Sequence, residues 1–363
     1  MVQAEHDPGY DIRSMTRREL EILLRKEGQP AYRARQVFNW MHVKLAASYD
    51  EMSDIPLSLR ERLKDWPLTV LKTETVQVSR LDGTRKYLFR LPDGCMAESV
   101  LMRYHHGNTV CVSSQVGCAM GCRFCASTLG GKVRDLLPSE MLEQVYRIQT
   151  DTKERVSHVV VMGTGEPLEN YDNLVRFIHL LTGEEGLNIS QRNITVSTCG
   201  IVPRIYDLAQ EKLAVTLALS LHAPTDELRR QLMPIARKYT IEETLKACAG
   251  YFSVTGRRVT FEYSLISGVN DSIQHAKTLG QLLAPLKGHV NLIPVNPVRE
   301  RSFLRSAHSD VVNFKNTLEK YGFHVTIRRE LGSDIDGACG QLRAKREGLK
   351  EESGKPDESF FGD

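Results

Sequence analysis

Apolar and polar positions along this 363-residue chain change their period twice. Residues 1–12 show no period and read as a loose arm. From there to residue 67 the spacing is helical. Thr16 and Glu19 form a capping box ahead of Leu20, Leu23 and Leu24, which recur on one face. Gly28 and Pro30 end that helix, and Pro30 is placed to be the first residue of a second one carrying Tyr32, Phe38, Trp40 and Met41. A third short helix follows Ser58 and stops before Pro67. From Leu68 the period becomes two, through Val70, Leu71, Thr73, Thr75 and Val76. A turn at Leu81–Thr84, a run from Tyr87 to Leu91, a turn at Pro92–Gly94 and a run from Ala97 to Met102 make this an antiparallel segment, a connector laid against the main domain. After Asn108, strand-like runs at 109–113, 157–162, 193–198, 214–221, 258–265, 289–294 and 323–329 alternate with helical stretches at 138–149, 170–182, 240–253, 271–286 and 309–321. That alternation predicts βαβ units around a parallel sheet, a full or partial α/β barrel in preference to an open doubly wound sheet. The expected organisation is a helical unit at 1–67, a β connector at 68–108, a barrel at 109–347 and a disordered acidic tail at 348–363.

Composition adds little until it is divided. The chain is 41% apolar with a net charge of +3, but residues 347–363 hold six acids against two bases. The remainder is therefore more basic than the total suggests, which suits a polyanionic partner. No apolar run approaches the roughly 18 residues a membrane span requires, and the first residues lack the basic and apolar segments of a secretory signal. A cytoplasmic location is expected, where thiols stay reduced and clustered cysteines serve metals or catalysis more often than disulfides.

Four of the eight cysteines fall in one stretch, Cys111-Val-Ser-Ser-Gln-Val-Gly-Cys118-Ala-Met-Gly-Cys122-Arg-Phe-Cys125. Cys118, Cys122 and Cys125 have the spacing C-x3-C-x2-C. Thiolates this close share a cation. Structural zinc takes four protein ligands, whereas three cysteines suit an iron–sulfur cubane with one iron left open for a substrate or cofactor. Other polar residues sit where the expected strands end, the usual place for function in parallel α/β architecture. They are Gly163, Gly165 and Glu166, then Ser197, then Ser220 and His222, then Asn296, and finally a glycine-flanked Cys339. Gly163 and Gly165 can let backbone approach a ligand, Phe124 can shield a cluster face, and the others can hold the amino, carboxylate and ribose groups of a nucleoside-like cofactor. Each has a plainer reading. Gly-x-Gly is more often a turn, a strand-end histidine is more often a hydrogen-bonded structural residue, and Cys95, Cys199 and Cys248 read as small buried hydrophobes. Cys111 and Cys339 are as readily reactive thiols as buried ones.

With its neighbouring words, Cys118-x3-Cys122-x2-Cys125 resembles the radical S-adenosylmethionine (SAM) superfamily. Cys111-Val-Ser-Ser-Gln-Val-Gly-Cys118, Gly165-Glu166-Pro167-Leu168, Ser220-Leu221-His222-Ala223-Pro224, Leu292-Ile293-Pro294 and Asp334-Ile335-Asp336-Gly337-Ala338-Cys339-Gly340-Gln341-Leu342 are together similar to the RlmN/Cfr family of RNA methyltransferases, over roughly residues 15–346. The resemblance implies a partial (βα)6 barrel preceded by a small helical RNA-contacting domain. Cys118, Cys122 and Cys125 would hold a [4Fe-4S] cluster whose open iron chelates SAM, and Gly165, Glu166, Ser197, Ser220, Leu221, His222 and Asn296 match the SAM-contacting positions. Cys339 would carry a methyl group taken from a first SAM, a second SAM would be cleaved reductively, Glu98 would accept the proton lost from the base, and Cys111 would resolve the adduct through a transient disulfide with Cys339.

The implied substrates are 23S ribosomal RNA, at an adenosine of the peptidyl-transferase centre, and tRNA, at the adenosine beside the anticodon. A flavodoxin or ferredoxin system would supply electrons, the chain would act as a monomer, and no membrane is involved. Gly165-Glu166-Pro167 points to adenine C2 as the target, and a C8-directed enzyme is the near alternative. Thr198-Cys199-Gly200 departs from the commoner Thr-Ser-Gly of the family. Arg123, Lys132, Arg134, Arg299, Arg301 and Arg305 are candidates for phosphate contact, as are the arginines and aromatics of the helical unit. A non-catalytic, metal-stabilised RNA-binding protein would explain the cysteine triplet and the basic body, but not Cys111 and Cys339.

Overall fold

The computed structural model describes residues 11–286, 288–296, 301–336 and Leu342. The capping box forms as expected. Thr16 Oγ1 accepts from Glu19 N and the Glu19 carboxylate accepts from Thr16 N, opening α1 (Arg17–Lys26). Pro30 is not the first residue of the next helix. Its carbonyl accepts from Arg33 N, and α2 (Tyr32–His42) starts two residues later with Ala31 as a cap that makes no side-chain bond. Then comes α3 (Leu57–Leu63). The start of the chain is also less loose than its aperiodic sequence suggests: Ile12–Ser14 makes a 3-10 turn, with Ile12 and Arg13 fully buried.

Arg13 explains that burial. Its guanidinium donates to the carbonyls of Thr69 and Ala46 and pairs with the buried Glu143, which also accepts from Leu71 N at 3.0 Å. Glu143 lies on α4 (Pro138–Thr152), a helix of the barrel. The helical unit and the barrel therefore share one continuous apolar core, in which Leu20, Val37 and Met41 join Leu142, Val145 and Phe177.

The antiparallel segment lies against the main domain as expected and is joined to its sheet. Strands β1 (Lys72–Val78), β2 (Arg85–Arg90) and β3 (Met96–Tyr104) pair in sequence, and β3 pairs antiparallel with β4 (Gly107–Cys111). A small side hairpin of β5 (Gln115–Gly117) and β6 (Lys132–Asp135) comes next. After α4 the chain continues through β7 (Val156–Val161), α5 (Tyr171–Thr182), β8 (Ile194–Thr198), α6 (Val202–Gln210), β9 (Thr216–Ser220), α7 (Asp226–Leu232), α8 (Ile241–Thr255), β10 (Thr260–Leu265), α9 (Ile273–Leu283), β11 (His289–Pro294), α10 (His308–Glu319) and β12 (His324–Ile327). Strands β4 and β7 to β12 run parallel, giving a single ten-stranded sheet in the order β1-β2-β3-β4-β7-β8-β9-β10-β11-β12. This is the expected partial (βα)6 barrel, extended by antiparallel strands on one side and by β12 on the other. The strands of its wall alternate: Val196, Leu217, Phe261, Val290 and Leu292 belong to the apolar core under the helices, whereas Thr195, Thr216, Glu262, Asn291 and Thr326 line the barrel interior.

Among the described residues the sheet does not close on itself. Instead, the segment after β12 crosses to the β1–β2 hairpin. Gly332 N donates to Asp82, Arg80 N donates to Asp334, and the Gln77 amide exchanges two hydrogen bonds with Asp336, each of the four 2.8–2.9 Å long. No helix among the described residues is long and apolar enough to cross a membrane.

Candidate active site

Cys118, Cys122 and Cys125 lie in the loop between β5 and β6. Local bonds hold that loop's shape. Cys118 N donates to Gly131 O at 3.0 Å, Cys125 N donates to Cys122 O at 3.1 Å, and the Thr128 hydroxyl donates to the Cys125 carbonyl at 2.9 Å. Gly117 has φ +77°, and any Cβ there would collide with the Gly131 carbonyl, so the hairpin neck admits only glycine. The three cysteines line one cavity of about 160 Å³ with Gly165, Glu166, Ser197, Ser220 and His222. Residues that lie far apart in sequence thus meet at one mouth of the barrel. Leu221 is buried behind that wall and Asn296 lines a neighbouring cavity.

The wall opposite the cysteines is rigid. Glu166 is buried; its carboxylate accepts from Cys199 N at 2.7 Å and Leu168 N at 3.0 Å, while its own N–H donates to Gln115 at 2.8 Å. Burial pushes its pKa up, against the hydrogen bond from Cys199 that pulls it down. Ser197 and Ser220 hydroxyls stand 3.5 Å apart. His222 Nδ1 accepts from Ser264 N at 2.9 Å, which leaves the proton on Nε2. Burial and the nearby Arg229 push the ring down to about 3, so it is a neutral donor at physiological pH. Its backbone is held at φ +56°, an uncommon conformation for a side-chain-bearing residue. Phe124 packs edge-on against His222, with ring centroids 4.9 Å apart.

Gly163 and Gly165 have a packing task besides the one expected of them. A Cβ on Gly163 would lie 2.7 Å from Val112 O, and one on Gly165 would lie 2.6 Å from Gln115 Cβ. The missing side chains make room for the chain that enters the cysteine loop, and both glycines line the cysteine cavity.

Cys111 ends β4 opposite Val100 and is buried with Val100 and Met102. It lines the neighbouring cavity of about 120 Å³, with Asn296, Arg305 and Arg328. Glu98 lines neither cavity. It is buried on β3 in an ion pair with Lys86 at 2.8 Å, two residues from Val100 and therefore on the same strand face. Cys339 lies outside the described residues, as do Arg299 and the acidic tail. On either side of Cys339, Asp336 bonds to Gln77 on β1, and Leu342 packs on Leu88 and Met96 of β2 and β3.

Several expected phosphate contacts are committed elsewhere. Lys132 pairs with Asp135 and Glu169, Arg134 with Asp93 and Glu140, and Arg305 with Glu330. Arg301 donates to Thr128. Cys248 is a buried hydrophobe, as its sequence context suggests, and Cys95 is only partly buried. Cys199 belongs to the site: it lines the cysteine cavity beside Glu166. Sequence reasoning also passes over Arg229 and Asn270. Asn270 ties the His222 carbonyl to the backbone of Ser264 and Ile266. Neither carries a local signal, because both act across loops.

Burial pushes the Cys118 thiol up to about 12, helped by its cysteine neighbour, and raises Cys122 well above the usual thiol range. Such thiols ionise only when a cation joins them, which is what a cluster provides. Among the described residues no three His, Cys, Asp or Glu side chains converge on a single-ion site. Three thiols that each bind a different iron need no such convergence.

Comparison with known proteins agrees with this geometry. The radical SAM superfamily profile matches residues 112–279. The profile of the ribosomal RNA large subunit methyltransferase N-terminal domain matches residues 10–67. A probable dual-specificity RNA methyltransferase RlmN of Lachnospira eligens is 61% identical over 92% of this chain and 96% of that protein. The protein of the same description from Lachnoclostridium phytofermentans is 56% identical over 92% of this chain and 94% of its own. The crystal structure of a radical SAM methyltransferase from Sphaerobacter thermophilus superposes with a TM-score of 0.88 at 46% identity, covering 91% of this chain and 98% of that one.

Proposed function

Because the chain belongs to the RlmN family of dual-specificity RNA methyltransferases within the radical SAM superfamily, we propose that it methylates C2 of adenosine in 23S ribosomal RNA and in tRNA. The observation that carries this reading is the meeting of Cys118, Cys122 and Cys125 with Glu166, Ser197, Ser220 and His222 in one cavity, beside a second cavity holding Cys111. The donor set fits a [4Fe-4S] cluster with one open iron, since three soft thiols face a pocket whose other polar groups are oxygen and imidazole donors suited to an amino acid and a ribose. When bound, the cluster and SAM supply a methyl group and a hydrogen-abstracting radical.

The chain's own residues do the rest. Ser197 and Ser220 present hydroxyls to the cofactor, and His222 presents its Nε2–H. Glu166, fixed by two backbone donors, anchors the loop that carries them. Cys339 forms the S–C bond to the methyl group and holds that carbon against the adenine ring. Glu98, oriented by Lys86 on the strand face it shares with Val100, takes the proton that leaves C2. Cys111 then attacks the sulfur of Cys339. With the unpaired electron of the adduct returned to the redox cofactor, the S–C bond breaks and its electron pair passes to the carbon, which takes up a proton and becomes the methyl group. The methylated base departs, and the two sulfurs are left as a disulfide that an external dithiol reduces. The target adenosine must leave its stack to enter the barrel mouth. The reaction takes place in the cytoplasm on a monomer, with a flavodoxin or ferredoxin system as the electron source.

Nucleoside mass spectrometry of ribosomal and transfer RNA, with and without the gene, tests this directly. Loss of 2-methyladenosine from both is expected. Loss of 8-methyladenosine instead would assign the C8 reaction. A colourless protein that cleaves no SAM under dithionite would leave only an RNA-binding role.

A further inference from the structure

Arg229, on α7, is fully buried, and burying a guanidinium is costly unless its charge has a use. Its bonds go to main-chain carbonyls rather than to a carboxylate: Nη2 donates to Cys199 O at 2.6 Å and Ser220 O at 3.2 Å, and Nε donates to Leu221 O at 3.1 Å. These carbonyls lie beyond β8 and at the end of β9, so one side chain ties together the two strand ends that present Ser197 and Ser220 to the cavity. Gly200, at φ +103°, leaves room for Thr244, whose Cγ2 would stand 2.8 Å from a Cβ there, and packs beside the guanidinium at ordinary contact distance. Nη1 is buried with no hydrogen-bond partner among the described residues. The charge acts on the thiols of Cys122 and Cys199 and on the His222 ring. Arg229 forms no ion pair to an acidic side chain among the described residues, and Asp226 acts on its charge only from outside hydrogen-bond range.

We propose that Arg229 is a positioning residue that holds a fixed positive charge against the Cys122 side of the cluster and thereby eases its one-electron reduction. The inference rests on the reading of Cys118, Cys122 and Cys125 as cluster ligands. Reduction adds one electron, and hence one negative charge, to a group in a water-poor cavity. A buried cation at this range stabilises the reduced form more than the oxidised one. The carbonyl bonds serve to keep that cation from swinging out to water, since three acceptors fix the plane of the guanidinium.

The test is a reductive titration of the anaerobically reconstituted full chain without SAM, with dithionite as the electron source and electron paramagnetic resonance reporting the reduced cluster. Arg229→Met should lower the reduced-to-oxidised ratio at a fixed poise by about tenfold, a displacement of about 59 mV for a one-electron couple. Arg229→Lys, which keeps the charge but cannot bridge three carbonyls, should stay within about threefold of the parent. If Arg229→Met does not load iron, Arg229→Gln must show the same displacement. Wild-type potential in an iron-loaded neutral variant overturns the proposal, as does a lysine variant displaced as far as the methionine one. A Cys122→Ala variant that loads iron with unaltered spectra overturns the cluster assignment itself, and the proposal with it. Iron content and the potential thus separate the two failures.

Discussion

At the scale of single residues, the molecule keeps several ionisable groups in the form that burial dictates. His42 is the simplest case, because it lies far from the cysteine cavity. It sits in the joint between helical unit and barrel, its Nδ1 2.8 Å from the Tyr146 hydroxyl. Burial, with a contribution from Arg13, pushes it down to about 3, against about 6.5 in an unfolded chain. The folded state therefore excludes a proton that the unfolded state takes up below about pH 6.5. The contribution of the neutral ring to stability is full above that pH and is lost progressively toward pH 3. By pH 5 the loss amounts to roughly 2 kcal/mol. His42→Gln removes this titration, so its stability deficit against the parent should narrow by about that much between pH 7.5 and pH 5 in urea denaturation. A deficit that does not change with pH would contradict the assignment.

At the scale of elements, the strand and helix alternation was legible because βαβ units write their period plainly, and the parallel strands and most of the barrel helices fall close to where the pattern puts them. What escaped was short or non-local. The helix α7 spans only seven residues, too few for a periodic stripe. The β5–β6 hairpin pairs Gln115 with Asp135, so its turn is the cysteine loop itself and no turn signal marks it. The glycine pair at 163 and 165 was visible, but a sequence cannot say whether the space a glycine leaves belongs to a ligand or to a neighbouring loop. Here it belongs to Val112 and Ser113 at Gly163 and to Gln115 at Gly165. Gly165→Ala should force either Gln115 or the φ +112° backbone to shift, a strain on the order of 1–3 kcal/mol. The expected outcome is a lower melting temperature together with reduced iron loading, measured on the same preparation. Full loading at the parental melting temperature would show that the two loops can separate.

At the scale of the whole molecule, the helical unit is fastened to the barrel by a polar joint embedded in a shared apolar core. Arg13 reaches two carbonyls and Glu143, Ser139 N donates to Ser14 at 3.0 Å, and Arg176 pairs with Glu19 at 2.6 Å. None of this was legible in the sequence, where residues 1–12 read as a loose arm and nothing singles out Arg13. A charge buried in a joint has no local pattern; its partner lies more than a hundred residues away. Removing one partner leaves the other buried and undercompensated. Arg13→Met should cost on the order of 3 kcal/mol, somewhat eased by Arg147, which also pairs with Glu143 at 3.0 Å. Arg13→Met combined with Glu143→Leu should recover much of the loss. Calorimetry would show it, and a double variant no more stable than the single one would argue against the joint.

The segment beyond β12 gives the barrel an unequal circumference. Every other part of its wall is joined by a ladder of main-chain bonds, whose loss is cooperative and large. Along one line, from Asp82 to Asp336, the wall is joined by side chains reaching a loop. The chamber that contains Cys111 can therefore be widened along that line without breaking one rung of the sheet. A bulky guest can be admitted there while the rest of the frame keeps its dimensions.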